Sequence, residues 1–425
     1  MTILCAPPTT IPARLPPGDQ AVALYAHATR TGMGSAGSAL EGQCRQAGLD
    51  PAPRAWDFLS IALSVLSADA GVARSASADG WTRILRVRVA VLEPNFWNTQ
   101  AAALAQLLSF LTGDLWELTF IGGADTPAPP KKRAAAPERV VCLLSGGLDS
   151  LVGAIDLSTK GQVPVLVSQV ASGDKTHQRT FAQHIGGGLR HVQLNHLVRP
   201  PEKAERSQRA RSAIFLAYGV LAATSLDAYR DGGDVKLVVP ENGFISLNVP
   251  LTSTRLGSLS TRTTHPQYIQ QLQAVLNAAG LRVTIVNPYQ LKTKGEMLAG
   301  CRDQPLLKKY AAVSTSCGRF ARNSFTHCGR CVPCLIRRAA FHYWGVKDAT
   351  SYVYDNLSIP DARHKDFEDV RATGMAVERV RLDGIEPWIG ASLSTSQLGD
   401  RKPYVNLVRR GVKELGDYLI AVGAL

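Results

Sequence analysis

Apolar and polar residues alternate with two different periods in the first part of the chain. From Ala55 to Ala68 the large apolar side chains (Trp56, Leu59, Ile61, Leu63, Leu66) return at helical spacing, which predicts a helix with a buried face. Arg83 to Val91 reads Arg-Ile-Leu-Arg-Val-Arg-Val-Ala-Val, and this period-two pattern predicts a half-buried strand. Trp97–Thr112 predicts a second amphipathic helix and Leu115–Ile121 a second strand. Residues 1–124 therefore read as a separate N-terminal α+β domain. It carries no catalytic constellation, and a docking or scaffolding role is expected of it. Periodicity then stops: from Gly122 to Pro137 proline, alanine and like charges predict an extended linker, placed at 125–138.

Beyond it short aliphatic runs alternate with helical stretches. Arg139–Leu144, Val163–Val170, Val235–Val239 and Leu281–Val286 predict buried strands. Ser150–Leu157, Arg211–Tyr229 and Pro266–Ala279 predict helices between them. Short apolar strands separated by helices imply α/β architecture, a doubly wound parallel sheet covered on both faces, over residues 139–345. Residues 346–425 read as a mostly helical extension.

Composition narrows the class. A chain of 425 residues exceeds one ordinary core, so at least two domains are expected. No run approaches about 18 uninterrupted apolar residues, so a membrane span is not expected. The segment Met1–Gly18 lacks a basic stretch followed by an apolar one, so a cytoplasmic location is expected. Lys and Arg total 47 against 34 for Asp and Glu, a net charge of +13 that favours anionic partners. A nucleic-acid partner stays open, although Lys131-Lys132-Arg133 and the basic cluster from Arg206 to Arg211 are short and not interleaved with aromatics.

Two motifs carry chemistry. The first is Ser145-Gly146-Gly147-Leu148-Asp149-Ser150, set between a predicted strand and a predicted helix. Helix N-termini present unpaired N–H groups and a positive dipole end to phosphates. Paired glycines let the backbone curl at φ values closed to other residues. All six residues are candidate nucleotide contacts, with Ser168 on the following strand. Asp149 could cap the helix or hold Mg2+ between phosphates. The spacing does not fit GxxxxGK[ST]. The second motif is Cys317, Cys328, Cys331 and Cys334, four of eight cysteines gathered in one short segment. Two-residue spacers suit a knuckle presenting thiolates to zinc. Four thiolates would leave no open coordination position, so a structural ion is expected, with an iron–sulfur cluster as the competing occupant. The other cysteines read as core residues.

The SGGLDS loop resembles the PP-loop of ATP pyrophosphatases, of the adenine nucleotide alpha hydrolase-like fold, which cleave ATP to AMP and pyrophosphate. With the later Cys-Gly-x-Cys-x-x-Cys cluster and Arg337-Arg338-Ala339-Ala340-Phe341, it is similar to the QueC family. Ser172-Gly173-Asp174-Lys175-Thr176-His177-Gln178, Arg211-Ser212-Ala213-Ile214-Phe215-Leu216 and Lys292-Thr293-Lys294-Gly295-Glu296-Met297 resemble further segments of that family. The resemblance covers about residues 138 to 345. It implies an enzyme that uses ATP, Mg2+ and structural Zn2+ and takes 7-carboxy-7-deazaguanine, with ammonia, to 7-cyano-7-deazaguanine for queuosine. QueC itself is a single compact domain. The present layout, with an N-terminal domain, a C-terminal extension and Glu241-Asn242-Gly243-Phe244 in place of an Asp-Tyr element, is more similar to QatC and related QueC-like proteins of anti-phage defence operons. That branch implies an ATP-dependent C–N ligase, which joins a 7-deazaguanine carboxylate by an amide to the N-terminus of a partner protein from the same operon.

In either case a carboxylate is adenylated and an amine displaces AMP. Asp149, Ser150, Lys294 and Arg211 are the candidate catalytic residues. Glu241 and Asn242, after a strand, are candidates for reading the guanine-like edge. A catalytically inactive ATP-binding scaffold is the reading from another class.

Overall fold

The computed structural model describes residues 1–425 except 132, 134, 171–172, 203, 206–208, 253–261, 359–366 and 394–398. Lys132, Ser172 and Arg206, named above, lie outside the described residues. Among the described residues, ten strands form two five-stranded sheets. The first contains β1 (Thr2–Ala6), β2 (Gln20–Leu24), β3 (Met33–Ala36), β4 (Ile84–Ala90) and β5 (Leu115–Ile121), in the order β3-β2-β1-β4-β5. The second contains β6 (Val140–Leu143), β7 (Val165–Gln169), β8 (His191–Leu194), β9 (Val235–Val238) and β10 (Val283–Val286), in the order β10-β9-β6-β7-β8. Every strand pairing is parallel, with Ile3 opposite Gln20, Thr2 opposite Arg86, Val141 opposite Val165 and Val140 opposite Lys236.

The second sheet is the expected doubly wound α/β unit, and β6, with all four residues buried, lies at its centre. The first sheet corrects the α+β expectation: it too is parallel. Alternation in β4, where Ile84, Arg86 and Arg88 are exposed and Leu85, Val87 and Val89 buried, reports that one face meets water. It does not report strand direction, which the connections set. Arg86 faces Glu117 across the β4–β5 pair on that open face (2.7 Å). The strands β1, β2, β3 and β8, four or five residues each, were not expected.

The helix Pro53–Gly71 shows why the two sheets do not stand apart. It is buried at every position from Ala55 to Gly71, so it is covered on all sides, and its polar residues (Asp57, Ser60, Ser64, Ser67, Asp69) are buried along with the apolar ones. One side packs on the first sheet and the other on the helix Arg211–Thr224, itself buried from Leu216 to Thr224. A single hydrophobic core runs from Ile3, Val22 and Val87 through Leu59, Leu63 and Leu66 to Ile214, Tyr218, Val141 and Val235. Polar contacts follow the seam: Asp69 accepts the Ala210 N–H (2.9 Å) and pairs with the buried Arg83, and Thr224 Oγ1 accepts the Ala52 N–H (3.3 Å).

The predicted long helix from Arg211 breaks after Thr224 and resumes as a short turn at Asp227–Arg230. Asp227 is spent on the irregular segment before β6, accepting from Ala136 N–H (2.8 Å) and Arg133 (2.6 Å). At the C-terminal end, Phe367–Asp383, Ile385–Leu393 and Lys402–Ala421 form helices whose apolar faces close on Val332–Trp344 and Phe244. No described helix is long and apolar enough to cross a membrane.

Candidate adenylation site and metal centre

Ser145–Ser150 leaves the carboxyl end of β6 between its neighbours β7 and β9, the switch point where open parallel sheets bind ligands. Gly146 holds φ = +91°, and a Cβ there would lie 3.2 Å from Asp174 Cβ. A Cβ on Gly147 would lie 3.0 Å from the Thr315 carbonyl. Both glycines are therefore required by a close approach, and Gly146 also by its dihedral. Ser145 Oγ accepts the Gly147 N–H (3.2 Å) and meets Ser150 Oγ (3.1 Å), which donates to the Gly147 carbonyl (2.9 Å). The helix Leu148–Thr159 begins after Gly147 with no side chain capping it, so its first N–H groups remain available to an anion.

Asp149 does not cap that helix, and both of its oxygens have partners within the chain. One meets Lys294 Nζ; the other accepts from the backbone (3.1 Å) and side-chain amide (2.7 Å) of Asn242. Burial works against the charge, but Lys294, with hydrogen bonds from Glu241 and Asn242, holds Asp149 down to about 2. Burial and the facing Asp149 push the Glu241 carboxyl well above its usual range. Lys294, itself buried, opens the helix Lys294–Ala299, whose start is set by a capping box between Thr293 and Glu296. Glu241 and Asn242 thus line up behind Asp149. Asn242, fully buried, also accepts the Ile245 N–H (3.0 Å) and so ties the turn after β9 to Asp149.

Two other candidates separate. Ser168 is fully buried, and its hydroxyl donates to the Leu144 carbonyl (2.5 Å) beside His191 (2.8 Å). It braces the strand below the loop. Arg211 is exposed at the start of its helix, and its charge acts on Asp174 and His196 beside the loop.

The four cysteines converge as expected. Their sulfurs all lie within 4.8 Å of one another, with Cys317–Cys331 at 3.8 Å and Cys328–Cys334 at 3.9 Å. Thiolates at about 2.3 Å from a central ion form a tetrahedron with edges of about 3.8 Å, so the site fits a single zinc; a cluster needs sulfurs farther apart. N–H groups of Arg319 and Cys328 donate to Cys317 Sγ (3.3 Å each), and that of Cys331 to Cys328 Sγ (3.2 Å). Gly329 turns the knuckle at φ = +86°. Cys5, Cys44, Cys142 and Cys301 are buried free thiols, and burial pushes Cys5 and Cys44 up to about 12.

Thr315 joins the two motifs and has no signal of its own in the sequence. Two residues before Cys317, it pairs in parallel with Gly147, its N–H donates to the Gly146 carbonyl (2.9 Å), and its hydroxyl donates to Asp174 (2.6 Å). Arg337, fully buried and without an acid partner among the described residues, donates to the oxygens of Ala311, Ser314, Ser316 and Thr350, fixing that segment from the helix Val332–Trp344. Gln178 closes the loop from the other side through the carbonyls of Ser145 (3.0 Å) and Gln169 (3.1 Å).

Comparison with known proteins agrees with this geometry. Residues 263–345 match the family model described as "Queuosine biosynthesis protein QueC". A 7-cyano-7-deazaguanine synthase of Methanococcus maripaludis is 25% identical over 244 residues, 51% of this chain and 100% of the relative. Those of Rhizobium etli (29%, covering 50% of this chain and 90% of the relative) and Brucella ovis (28%, 50% and 92%) are also similar. By the loop, the cysteine knuckle and these likenesses together, the chain is similar to the QueC family over about half of its length.

Proposed function

We propose that the chain adenylates a 7-deazaguanine carboxylate, 7-carboxy-7-deazaguanine, with ATP and passes the acyl group to an amine, the N-terminus of a partner protein in anti-phage defence. The observation that carries the adenylation is the SGGLDS loop at the switch point, with bare helix N–H groups above a buried Asp149–Lys294 pair. A carboxylate oxygen attacks the α-phosphorus, and the bond to the β,γ-diphosphate breaks. Pyrophosphate departs into the loop, where the N–H groups and the Ser145 and Ser150 hydroxyls take up its charge. The amine then attacks the acyl carbon, loses a proton, and AMP leaves. Mg2+ would supply charge neutralisation between phosphates. In this arrangement Arg211 supplies a cation from the rim, while Lys294 holds Asp149 and the loop's helix in place.

Transfer to a protein, which makes the chain a ligase, is favoured by what surrounds the core. About half of the chain lies outside the part similar to the synthases. Its C-terminal helix reaches the active-site elements, with Glu414 bound to Thr293 and Gly295 on either side of Lys294. The second reading, favoured by the names of the relatives, is synthesis of 7-cyano-7-deazaguanine from ammonia.

Incubation with ATP, 7-carboxy-7-deazaguanine and either ammonia or the operon's partner protein, read by mass spectrometry, tests both. Mass added to the partner supports ligation, and a cyano product from ammonia supports the second reading. Absence of AMP and pyrophosphate with every acceptor leaves the catalytically inactive scaffold.

A further inference from the structure

The first sheet has a switch point of its own. From β1 the chain passes to β2 and β3 on one side, and β4 and β5 lie on the other. Connections diverge beyond the carboxyl ends of β1 and β4, where parallel sheets hold their ligands. A cavity of about 210 Å³ opens at this point, between Pro7 after β1, Tyr25 after β2 and Leu92 after β4.

Its chemistry differs from that of the SGGLDS loop. The turn after β1 reads Pro7-Pro8-Thr9-Thr10, with no glycine to cradle a phosphate. Three carboxylates, Glu41, Asp57 and Asp125, line the cavity, and no lysine, arginine or histidine does so among the described residues. In a chain of net charge +13 that composition runs against the average of the surface. Asp57 is held in place by the N–H groups of Leu92 (2.7 Å), Glu93 (3.1 Å) and the Trp97 indole (2.8 Å). Glu41 feels the opposing charges of Arg45, four residues on, and of Asp125, and neither carboxylate forms an ion pair among the described residues. Tyr25 and Trp56 make an aromatic corner, their centroids 5.8 Å apart at 85°. Tyr25 keeps its ring there at φ = +57°, with its hydroxyl on Ser60 Oγ (2.8 Å). Carboxylates beside aromatic rings are a combination that recognises organic cations, by charge on one side and ring quadrupole on the other.

We infer that this cavity is a second ligand site, which takes a small organic cation bearing an ammonium or guanidinium group. The charge is met by Glu41, Asp57 and Asp125, and the body lies against Tyr25 and Trp56. The site belongs to the first sheet and stands independently of the adenylation proposed for the second.

Titration calorimetry of the full chain with agmatine tests it, with succinate as the control of opposite charge. Agmatine is expected to bind saturably and succinate to give no heat. Glu41→Gln and Tyr25→Gly should each weaken agmatine by about tenfold or more, because each removes one half of the recognition. Glycine is at ease at the Tyr25 dihedral, so that variant keeps the backbone, as circular dichroism will report. Agmatine heat that does not saturate, binding that survives both substitutions, or succinate binding as well as agmatine overturns the proposal.

Discussion

Lys294 and Asp149 are 145 positions apart in sequence, and each is buried against the other. Removing one charge leaves the other unpaired in a poorly solvated place. Lys294→Met is expected to cost about 3–5 kcal/mol in urea unfolding, and the double variant Lys294→Met, Asp149→Asn to recover most of it. Recovery of stability without recovery of pyrophosphate release would mark the pair as needed for the reaction beyond the fold. Glu414 makes a second residue-scale prediction. Burial lifts its carboxyl from an ordinary 4.5 to about 7 in the folded chain. A group that holds its proton more tightly when folded stabilises most below 4.5, and that contribution is lost as the pH rises through about 7. The melting temperature should therefore fall across that window, and Glu414→Gln should flatten the fall. The loop and the cysteines were legible at this scale because their chemistry is local. The contacts of Glu241 and Asn242 were not: their position after a strand carries no sign that a carboxylate 93 positions before Asn242 takes its amide.

Among the elements, the cysteine knuckle and the phosphate loop behave as one unit through Thr315. Metal removal by a chelator, or Cys331→Ser, is expected to lower the melting temperature and weaken ATP binding together. Thr315→Val should keep the metal, measured by elemental analysis, yet weaken ATP about tenfold by freeing Asp174 and the loop beside it. If ATP affinity ignores the metal, the coupling is absent. The same scale explains the misread N-terminal strands. Period-two alternation in β4 correctly located a strand with one wet face, but pairing direction depends on partners far away. Here those are β1 and β5, more than twenty residues distant on either side. β1, β2 and β3 are short and rich in small residues, too brief for a period to register.

For the molecule as a whole, the helix Pro53–Gly71 joins the two sheets, because it is buried by both sheets' layers at once. Deleting residues 1–124 would strip one side from the helix Arg211–Thr224, uncovering a contiguous apolar face. The fragment 125–425 is expected to aggregate on size exclusion, whereas the full chain should elute without aggregating. A well-behaved fragment that still releases pyrophosphate would mean the first sheet is an appendage.

The amino-acid sequence alone determined what rests on neighbours along the chain: an anion-binding turn between strand and helix, a four-thiolate metal knuckle, and the alternation of short strands with helices that requires a parallel second sheet. Tertiary structure decided what depends on side chains meeting from afar. It set the pairing of Asp149 with Lys294, the bracing of the loop by Thr315, the direction of the first sheet's strands, and its fusion to the second through one core. The division is physical: backbone turns and ligand spacing act over a few residues, whereas burial and charge compensation are properties of the assembled core.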